Sequence, residues 1–593
     1  MRSRSRWRGQ RATGLRHEAA CHVARDLIRS RMDIETPIRF SDITAATPTR
    51  ETLERDYAAI NALFDDGDIA EAAARFDRLR REIGTWGALV ELRFQQNTDD
   101  AEAKAALDYR DELLPTAQNH ETGLKQRMLA HDDRTAIVNA AGAHAVALWE
   151  LDVGTFRPEI EADLEREAKL SARYTELTAS VQIEIDGRSV NYEGMAPYRE
   201  HLDRALRHEA ERKIDGFFGE NAAELDQIYD DLVKLRHGMA RKLGYDNFIA
   251  LGYKRMRRLD YGPDDVARYR DAIAAHVTPL VARLMEQRRE TFGWDKVFVW
   301  DERIVDPLGN PTPLGGHDEL VAAGQAMYDR MNPEIAAFYR AMNEGGFLDL
   351  KNRPAKGNGG FCTGFDTVGM PFIFANFVGT SGDIDVLTHE MGHAFQYFSS
   401  RSLPSVDYVT PGMESAEIHS MSFELLAHPH ADLLVGEAAA DRYRRMHLTD
   451  ILPSLPRMAC LDHFQHEIYA NPDMTPAERR ATWRRLERHY TPWRDYGDLA
   501  NGADGGWWQK VLHLYLMPFY MIDYALAQCC ALQFWTRSRK NYQVALEDYI
   551  ALCRRGGSAP FLELVRSAGL ISPFEPGALE DSVAEVSRSL LSS

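Results

Sequence analysis

The amino-acid sequence predicts a large, mainly α-helical protein. With 593 residues, the chain is too long for one ordinary hydrophobic core, so two or more domains are expected. Apolar side chains recur at the spacing of amphipathic helices through most of the chain. Alternation of apolar and polar residues, which indicates strands, is confined to a few short segments. These observations favour a helical fold with little sheet.

The first 32 residues differ in composition from the rest of the chain. Residues 1–31 contain nine Arg and only two acidic residues, and they lack the apolar stretch of a secretory signal. An organellar transit peptide has a similar composition, but a disordered tail or an over-extended translation start is the simpler interpretation. We predict an Arg-rich disordered arm over residues 1–32 and assign it no function.

Residues 33–200 are predicted to form an N-terminal helical domain. Segments such as Leu53–Phe64 and Ala101–Leu114 have helical apolar spacing and are separated by polar turns. Near the end of this domain, Val181–Tyr192 alternates apolar and polar residues around Asp186-Gly187, a pair that favours a tight turn. One β-hairpin is therefore expected among the helices.

The remaining residues 201–593 are predicted to form a second domain, with the boundary near residues 195–205. Helical spacing resumes there and includes a long helix over Pro263–Phe292. Lys296–Trp300 has the composition of a short strand, and so has Pro371–Val378. If the second strand lies at a sheet edge, an extended peptide could pair with its free backbone groups, whereas a covered strand could not.

Composition excludes several classes of function. The 71 Lys and Arg residues against 90 Asp and Glu give a net charge of −19, which argues against general binding to nucleic acid or to anionic membranes. The most apolar run, Trp507–Trp535, is interrupted by Pro518 and by charged residues, so we interpret it as a buried helix. The six cysteines have neither metal-site nor disulfide spacing, which favours a reducing compartment and a cytoplasmic protein.

The segment from His389 to His393 reads His-Glu-Met-Gly-His, the arrangement of a hydrolytic zinc site. Histidines four apart lie on one face of a helix with Cβ atoms roughly 5–6 Å apart, so both imidazoles can bind one ion. Glu390 would lie beside the ion, where its carboxylate can accept a proton from an acidified water molecule. The motif predicts one Zn²⁺ per chain.

The residues around this motif favour a helix that begins at Ser381-Gly382-Asp383. One face of it is an apolar stripe, which we expect to enter the core. The stripe consists of Ile384, Leu387, Met391, Ala394, Phe395 and Phe398. The opposite face has no Lys or Arg and is expected to line a cleft. That face consists of Asp385, His389, Gly392, His393, Gln396 and Ser400.

A catalytic zinc site needs a third protein ligand and one open position, and Glu414 and Glu417 are the candidates. Glu414 lies 21 residues after His393, close to the spacing of thermolysin-like enzymes, but Ile418 stands where those enzymes have Asp. Glu417 shares a helical face with Glu424, two turns later, and a carboxylate there can orient a ligand histidine. We therefore predict Glu417 as the third ligand.

These motifs resemble the M3 family of zinc oligopeptidases, in particular its oligoendopeptidase F branch. The likeness covers roughly residues 35–585 and is strongest from 356 to 530. The segments that carry it are Gly359–Thr363, Pro371–Phe377, His389–Gln396, Glu417–Glu424, Cys460–His466 and His513–Tyr524.

The resemblance implies a two-lobed, clam-like helical fold with a small β-sheet beside the zinc helix. Its deep channel would admit flexible oligopeptides and exclude folded proteins, and residues 201–593 would be the catalytic domain. It also implies that His389, His393 and Glu417 bind zinc and that Glu390 is the general base. The residues implied to hydrogen-bond substrate and oxyanion are His513, Tyr520 and Tyr524.

The implied function is a zinc-dependent endopeptidase that hydrolyses short, unstructured oligopeptides. Two alternatives stay open. A carboxypeptidase on a related helical fold could use the same motif, and would need a cationic group for the free carboxylate of its substrate. A non-catalytic scaffold could use zinc to pin two helices, and would need a fourth protein ligand such as His419 or His428. The sequence does not indicate an oligomeric state.

Overall fold

A computed structural model describes residues 38–591, and the predicted arm over residues 1–32 lies outside this range. The described chain is mainly α-helical, so the predicted fold class is confirmed. The helices, in chain order, are α1 (Arg50–Asp65), α2 (Ile69–Gln96), α3 (Ala101–Leu129), α4 (Arg134–Ala141), α5 (Ala143–Asp152), α6 (Glu161–Ala179), α7 (Ala196–Arg199), α8 (Arg204–Glu220), α9 (Ala222–Lys242), α10 (Phe248–Arg255), α11 (Pro263–Ala272), α12 (Thr278–Phe292), α13 (His317–Met331), α14 (Pro333–Glu344), α15 (Ser381–Ser400), α16 (Met413–Ala427), α17 (Asp432–Val435), α18 (Glu437–Ala470), α19 (Pro476–Tyr490), α20 (Ala500–Ala503), α21 (Leu512–Leu516), α22 (Met521–Lys540), α23 (Tyr542–Arg555), α24 (Phe561–Ser567) and α25 (Ala578–Leu591).

The helices enclose two main hydrophobic cores. The smaller core is formed by the first helices and includes Tyr57, Phe76 and Trp149, and the larger core is formed mostly by the rest of the chain. Buried Asp407 lies at the edge of the smaller core, where its carboxylate accepts hydrogen bonds from Arg80 and from the indole of Trp149. Because Asp407 comes just after α15, this contact joins the first helices to the part of the chain that carries the metal-site motif.

The predicted hairpin is confirmed. Strand β1 (Ile183–Ile185) pairs antiparallel with β2 (Arg188–Val190). The two turn residues, Asp186 and Gly187, have φ angles of 50° and 71°. Such left-handed conformations are what a two-residue hairpin turn requires, and Asp-Gly tolerates them better than most pairs.

A three-stranded sheet lies beside α15, in the order β3-β5-β4. Its strands are β3 (Leu348–Lys351), β4 (Phe361–Phe365) and β5 (Met370–Phe377). The central strand β5 is parallel to β3 and antiparallel to β4. The predicted strand at Pro371–Val378 is therefore confirmed, but as the covered central strand. The two edge strands of the sheet are β3 and β4.

The strand predicted at Lys296–Trp300 is wrong, because Val299–Asp301 forms a 3₁₀ turn there. The carboxylate of Asp301 accepts the backbone N–H of Phe298 and ion pairs with Arg207 at 2.8 Å. These contacts fix a tight turn in a segment whose local pattern of Val, Phe and Trp resembles a strand.

The single buried helix predicted at Trp507–Trp535 is also wrong in part. The segment is largely buried, but it consists of a 3₁₀ turn at Trp507–Lys510, then α21, then α22. Pro518 cannot continue a helix, and Phe519 adopts a φ of 69°. Within residues 38–591, no helix is both long enough and apolar enough to span a membrane.

Candidate metal centre

Helix α15 presents the His-Glu-x-x-His motif. The carboxylate of Asp383 accepts the backbone N–H groups of Val378 and Gly379, which fixes the turn from β5 into the helix. The predicted helix and its apolar stripe are both confirmed, since every side chain of the stripe is buried. The stripe comprises Ile384, Leu387, Met391, Ala394, Phe395 and Phe398.

Gly392 brings α15 into backbone contact with α16. A Cβ atom at Gly392 would lie 2.7 Å from the carbonyl oxygen of His419 and 2.7 Å from the Cα of Ser420. The face predicted to line a cleft is therefore only partly open. His389 and His393 are half-buried, whereas Gly392 and the rest of the face toward the C-terminus are buried. This close approach brings α16 within reach of the two imidazoles.

The structure brings His389, His393 and Glu417 together. Glu417 Oε2 lies 3.2 Å from Nε2 of His389 and 3.5 Å from Nε2 of His393. One donor atom from each residue lies within 4.8 Å of the others, and no second group of this kind occurs in residues 38–591. Burial alone would raise the pKa of Glu417, but the nearby imidazoles hold it well below its usual value.

This donor set fits a divalent zinc ion. Two imidazole nitrogens and one carboxylate oxygen, with one coordination position left for solvent, are the usual ligands of a catalytic zinc. Glu417 is 1% exposed, so its negative charge would be costly without a positive partner close by. A bound divalent cation would supply that partner.

Glu424 fixes the orientation of the His389 ring. Nδ1 of His389 lies 2.6 Å from Glu424 Oε1. With Nδ1–H donating a hydrogen bond to this carboxylate, Nε2 is directed toward Glu417 and is the ring atom that would bind an ion after losing its proton. The sequence predicted that Glu424 orients a ligand histidine, and in the structure Glu424 contacts His389 in this way.

Glu390 follows His389 and is also buried. Its Oε2 atom has no hydrogen-bond partner among the described residues. Burial is the main cause that raises the pKa of Glu390 above its usual value. Gly360, just before β4, keeps space open in front of this carboxylate, because a Cβ at Gly360 would lie 3.3 Å from Glu390 Oε1.

His513, Tyr520 and Tyr524 lie next to one another beside the three-residue group. The hydroxyl of Tyr520 donates a hydrogen bond to Glu417 Oε1, and the ring of Tyr520 lies 5.1 Å from the ring of His513 and 4.9 Å from that of Tyr524. Burial lowers the pKa of His513 to about 4, so its imidazole is neutral near pH 7. The structure therefore places three neutral polar groups at one side of the centre.

The break between α21 and α22 directs Tyr520 to the centre. The backbone N–H of Phe519 donates to the side chain of Gln465 at 2.8 Å, and its carbonyl accepts from Arg258 at 2.7 Å. Arg258 also ion pairs with buried Asp523 at 2.6 Å. These contacts hold the left-handed conformation of Phe519.

The other candidates that the sequence raised lie elsewhere. Glu414 is buried near Arg258 and Asp523, and it is not part of the three-residue group. His428 Nε2 lies 2.8 Å from His447 Nδ1, and the ring of His419 lies 6.3 Å from that of Tyr549. Within the described range, no fourth His, Cys, Asp or Glu side chain completes this group as a metal ligand.

Sequence reasoning missed several residues around the centre. Ser420 Oγ donates to Glu417 Oε2 at 2.7 Å, and its position three residues after Glu417 was a helical signal that could have identified it. His447, on α18, lies 2.9 Å from Glu424 Oε2. No local pattern links His447 to the motif, because the two are far apart in sequence.

Two family profiles match the chain. The profile of Peptidase family M3 matches residues 334–583, which include the whole candidate centre. The profile of the Peptidase M3 N-terminal domain matches residues 40–156, which form most of the smaller core.

Solved structures with the same fold cover nearly the whole chain. A structure described as PZ peptidase A with inhibitor 2 is 39% identical, with a TM-score of 0.92, over 94% of this chain and 99% of that chain. A structure provisionally described as an oligoendopeptidase F is 42% identical, with the same TM-score and the same coverage.

Relatives found by sequence alone match smaller parts. An oligoendopeptidase F homolog from Lactococcus lactis subsp. lactis (strain IL1403) is 24% identical over 309 residues, which are 51% of this chain and 49% of that protein. An oligoendopeptidase F homolog from Borreliella burgdorferi is 26% identical over 234 residues, which are 38% of each protein. The chain thus spans half or less of the length of these two relatives.

Proposed function

Because this chain belongs to peptidase family M3, we propose that it is a zinc-dependent endopeptidase that hydrolyses short, unstructured oligopeptides. The observation that supports this most strongly is the convergence of His389, His393 and Glu417 beside the unpartnered carboxylate of Glu390. A metal-binding group and a free base at one place are the two requirements of metal-assisted hydrolysis.

In this proposal, His389 and His393 hold the ion through Nε2, and Glu417 holds it through a carboxylate oxygen. When bound, zinc supplies a Lewis acid that makes water a better nucleophile and polarises the scissile carbonyl group. Glu424 keeps His389 in the required tautomer through its hydrogen bond to Nδ1. Three protein ligands without a fourth leave room for reactants, which a purely structural zinc site would not.

Glu390 acts as the general base. Its carboxylate accepts a proton from the attacking water and then donates that proton to the nitrogen of the leaving amine. The raised pKa of Glu390 suits both steps. A carboxyl group whose pKa lies nearer to pH 7 takes up the proton of water more readily and keeps it until the leaving amine accepts it. No covalent bond forms between the peptide and the protein.

Tyr524 and His513 supply hydrogen bonds to the oxygen that becomes negative in the transition state, and Tyr520 does so when its hydroxyl turns from Glu417 Oε1, to which it donates in the absence of substrate. Burial keeps the pKa of Tyr520 and of Tyr524 well above the usual value, so both hydroxyls stay protonated and can donate. A donor directed at a developing oxyanion contributes about 3 kcal/mol to transition-state stabilisation.

The substrate lies along β4, the edge strand that follows Gly360 and therefore begins beside Glu390. An extended peptide can add to a free strand edge through backbone hydrogen bonds, which need no particular side chains. Gly360 precedes this strand and lies against Glu390, so a peptide that pairs with Phe361–Phe365 passes beside the general base. A folded protein does not offer such an extended segment, which explains a preference for unstructured oligopeptides.

We also propose a cytoplasmic location and no affinity for nucleic acid or membrane. All five cysteines within residues 38–591 are free, which is typical of a reducing compartment. The net charge of −19 would repel nucleic acid and anionic lipid.

The test is digestion of a peptide library of graded length, made with free and with amidated C-termini, followed by mass spectrometry. An endopeptidase cleaves internal bonds in both forms of each peptide. Removal of single C-terminal residues from the free form alone would instead support a carboxypeptidase. A Glu390→Gln variant, prepared in parallel, identifies cleavage by any contaminating peptidase.

A further inference from the structure

A row of hydrogen bonds extends from the candidate metal centre into helix α18. Nδ1 of His389 lies 2.6 Å from Glu424 Oε1, and the second oxygen of Glu424 lies 2.9 Å from Nε2 of His447. Nδ1 of His447 lies 2.8 Å from Nε2 of His428. Four side chains are thus joined end to end, starting from a residue of the proposed zinc site: one each from α15, α16 and α18, and one from the 3₁₀ turn at His428–His430 that follows α16.

Glu424 is the acceptor at the middle of this row. With His389 bound to zinc through Nε2, its Nδ1–H donates to Glu424 Oε1. Glu424 Oε2 accepts the Nε2–H of His447. Burial alone would lower the pKa of His447, but the nearby carboxylates of Asp385 and Glu424 raise it to about 9, whereas burial keeps the pKa of His428 well below its usual value. His447 therefore also donates its Nδ1–H to Nε2 of His428. Both oxygens of Glu424 then accept a hydrogen bond, so rotation of the carboxylate away from His389 would break both contacts.

His447 is held firmly enough to fix Glu424. It is buried, and its ring stacks on Tyr443 at 6.0 Å. Tyr443 in turn donates a hydrogen bond at 2.6 Å to Asp385, one turn before His389 on α15. Arg444 donates to the backbone carbonyl of His428 at 2.9 Å. Helix α18 is thus tied both to α15 and to the end of α16.

We propose that His447 is a positioning residue of the zinc site, which acts on His389 through Glu424. The inference rests on the proposed function, since it assumes that His389 binds zinc. His447 touches neither the metal ligands nor the substrate in this account. Its role is to hold the Glu424 carboxylate in the one orientation that keeps His389 directed at the ion.

Two amide substitutions distinguish the contact that Nε2 of His447 makes with Glu424 from the contact that Nδ1 makes with His428. In His447→Gln the amide nitrogen reaches the place of Nε2 and can still donate to Glu424. In His447→Asn the amide reaches only the place of Nδ1, so it contacts His428 and leaves Glu424 Oε2 without its donor. Both substitutions are polar and of similar size, so a general effect on folding should be similar in the two.

The measurement is the zinc affinity of the full-length protein, obtained by competition with a chromophoric chelator. Loss of a partner behind a metal ligand typically weakens metal binding 10- to 100-fold, so we expect about a tenfold loss for His447→Asn. His447→Gln should stay within about threefold of wild type. His463→Asn is the matched control, because His463 lies on the same helix and contacts Tyr490 at 3.0 Å, away from the centre.

Equal zinc affinity in His447→Asn and His447→Gln, whether at the wild-type level or reduced, would overturn the inference, because the contact with Glu424 would then not matter. A loss of similar size in His463→Asn would overturn it too. These results leave the proposed function intact as long as wild type binds one zinc ion. Failure of the wild type to bind zinc would overturn the proposed function and this inference with it.

Discussion

The buried carboxylate of Glu390 is the group on which the proposed hydrolysis depends at the scale of single residues. Its free Oε2 atom has no task in holding the fold, since it has no hydrogen-bond partner in the described part of the chain. A buried, ionisable and unpartnered side chain lowers the stability of the fold, and such side chains are concentrated at functional sites.

Replacement of Glu390 by Gln should remove the base and leave the ion in place. General-base groups contribute typically 10²- to 10⁴-fold, so we expect kcat to fall by about 10³-fold. Zinc content should stay at one per chain, and a peptide substrate should still bind, because Gln has the shape of Glu. Peptide turnover and metal analysis measure the two effects, and turnover near the wild-type rate would show that Glu390 is not the base.

Gly360 provides a more subtle test of the same group. In Gly360→Ala the new Cβ would lie 3.3 Å from Glu390 Oε1 and 3.2 Å from Val386 Cγ1, so the carboxylate must shift by a few tenths of an ångström. Small misplacements of a catalytic group are costly, and we expect kcat to fall about tenfold with zinc affinity unchanged. Gly360→Val should lower kcat further. An unchanged kcat in both variants would show that the space at Gly360 does not matter for the position of Glu390.

The sequence predicted the central residues well because their signals are local. The histidine pair lies within one helical turn, and Glu417 was preferred over Glu414 because it shares a helical face with Glu424. The geometry of these residues is as expected, while their binding of zinc stays a prediction. His447 and Gly360 could not be found in this way, because only the folded chain brings them to the centre.

The close approach of α15 and α16 is the feature that builds the site at the scale of secondary-structure elements. Glu417 and Glu424 lie on α16 and meet histidines on α15 only because Gly392 lets the two backbones touch. The choice of glycine inside a helix costs about 1 kcal/mol relative to alanine, so a packing reason is expected there.

Gly392→Ala should push the two helices apart. The added Cβ would meet backbone atoms of α16 at 2.7 Å, and backbone cannot turn aside as a side chain can. Overpacking of this kind costs about 1–3 kcal/mol, partly offset by the better helix propensity of alanine. We expect a lower urea midpoint together with weaker zinc binding.

Gly382→Ala on the same helix is the control for Gly392→Ala, because its Cβ would meet only Thr380 Oγ1, at 3.4 Å. The control should keep both stability and zinc affinity. If Gly392→Ala behaved like Gly382→Ala, the close helix contact would not be what assembles the site.

Elements that follow from local sequence rules were predicted correctly, whereas two segments shaped by distant contacts were not. The helix at Ser381–Ser400 and the hairpin around Asp186-Gly187 follow from local rules. The turn at Val299–Asp301 and the break at Phe519 depend on distant partners, namely Arg207, and Gln465 with Arg258. The domain boundary near residues 195–205 stays a prediction.

At the scale of the whole molecule, we expect the fold not to depend on a bound metal ion. Two hydrophobic cores are made by side chains that lie mostly far from His389 and Glu417, and α15 is anchored in the larger core by its apolar stripe. The two cores should therefore fold without the ion, unlike a small zinc domain that folds only around its metal.

Removal of zinc should thus abolish activity and spare the fold. After treatment with a chelator, we expect peptide turnover to be lost, the far-ultraviolet circular dichroism to stay helical, and Tm to fall by only a few degrees. Added zinc should restore turnover. Global unfolding on chelation would contradict the expectation that the fold does not need the ion. Full activity of the metal-free protein would contradict the proposed mechanism.

The most direct test of the central claim is a crystal structure of the zinc-loaded protein with anomalous diffraction at the zinc edge. The account predicts one strong anomalous peak, within about 2.3 Å of Nε2 of His389, Nε2 of His393 and a carboxylate oxygen of Glu417, with no fourth protein ligand. A peak elsewhere, or a fourth protein atom bound to the ion, would contradict it.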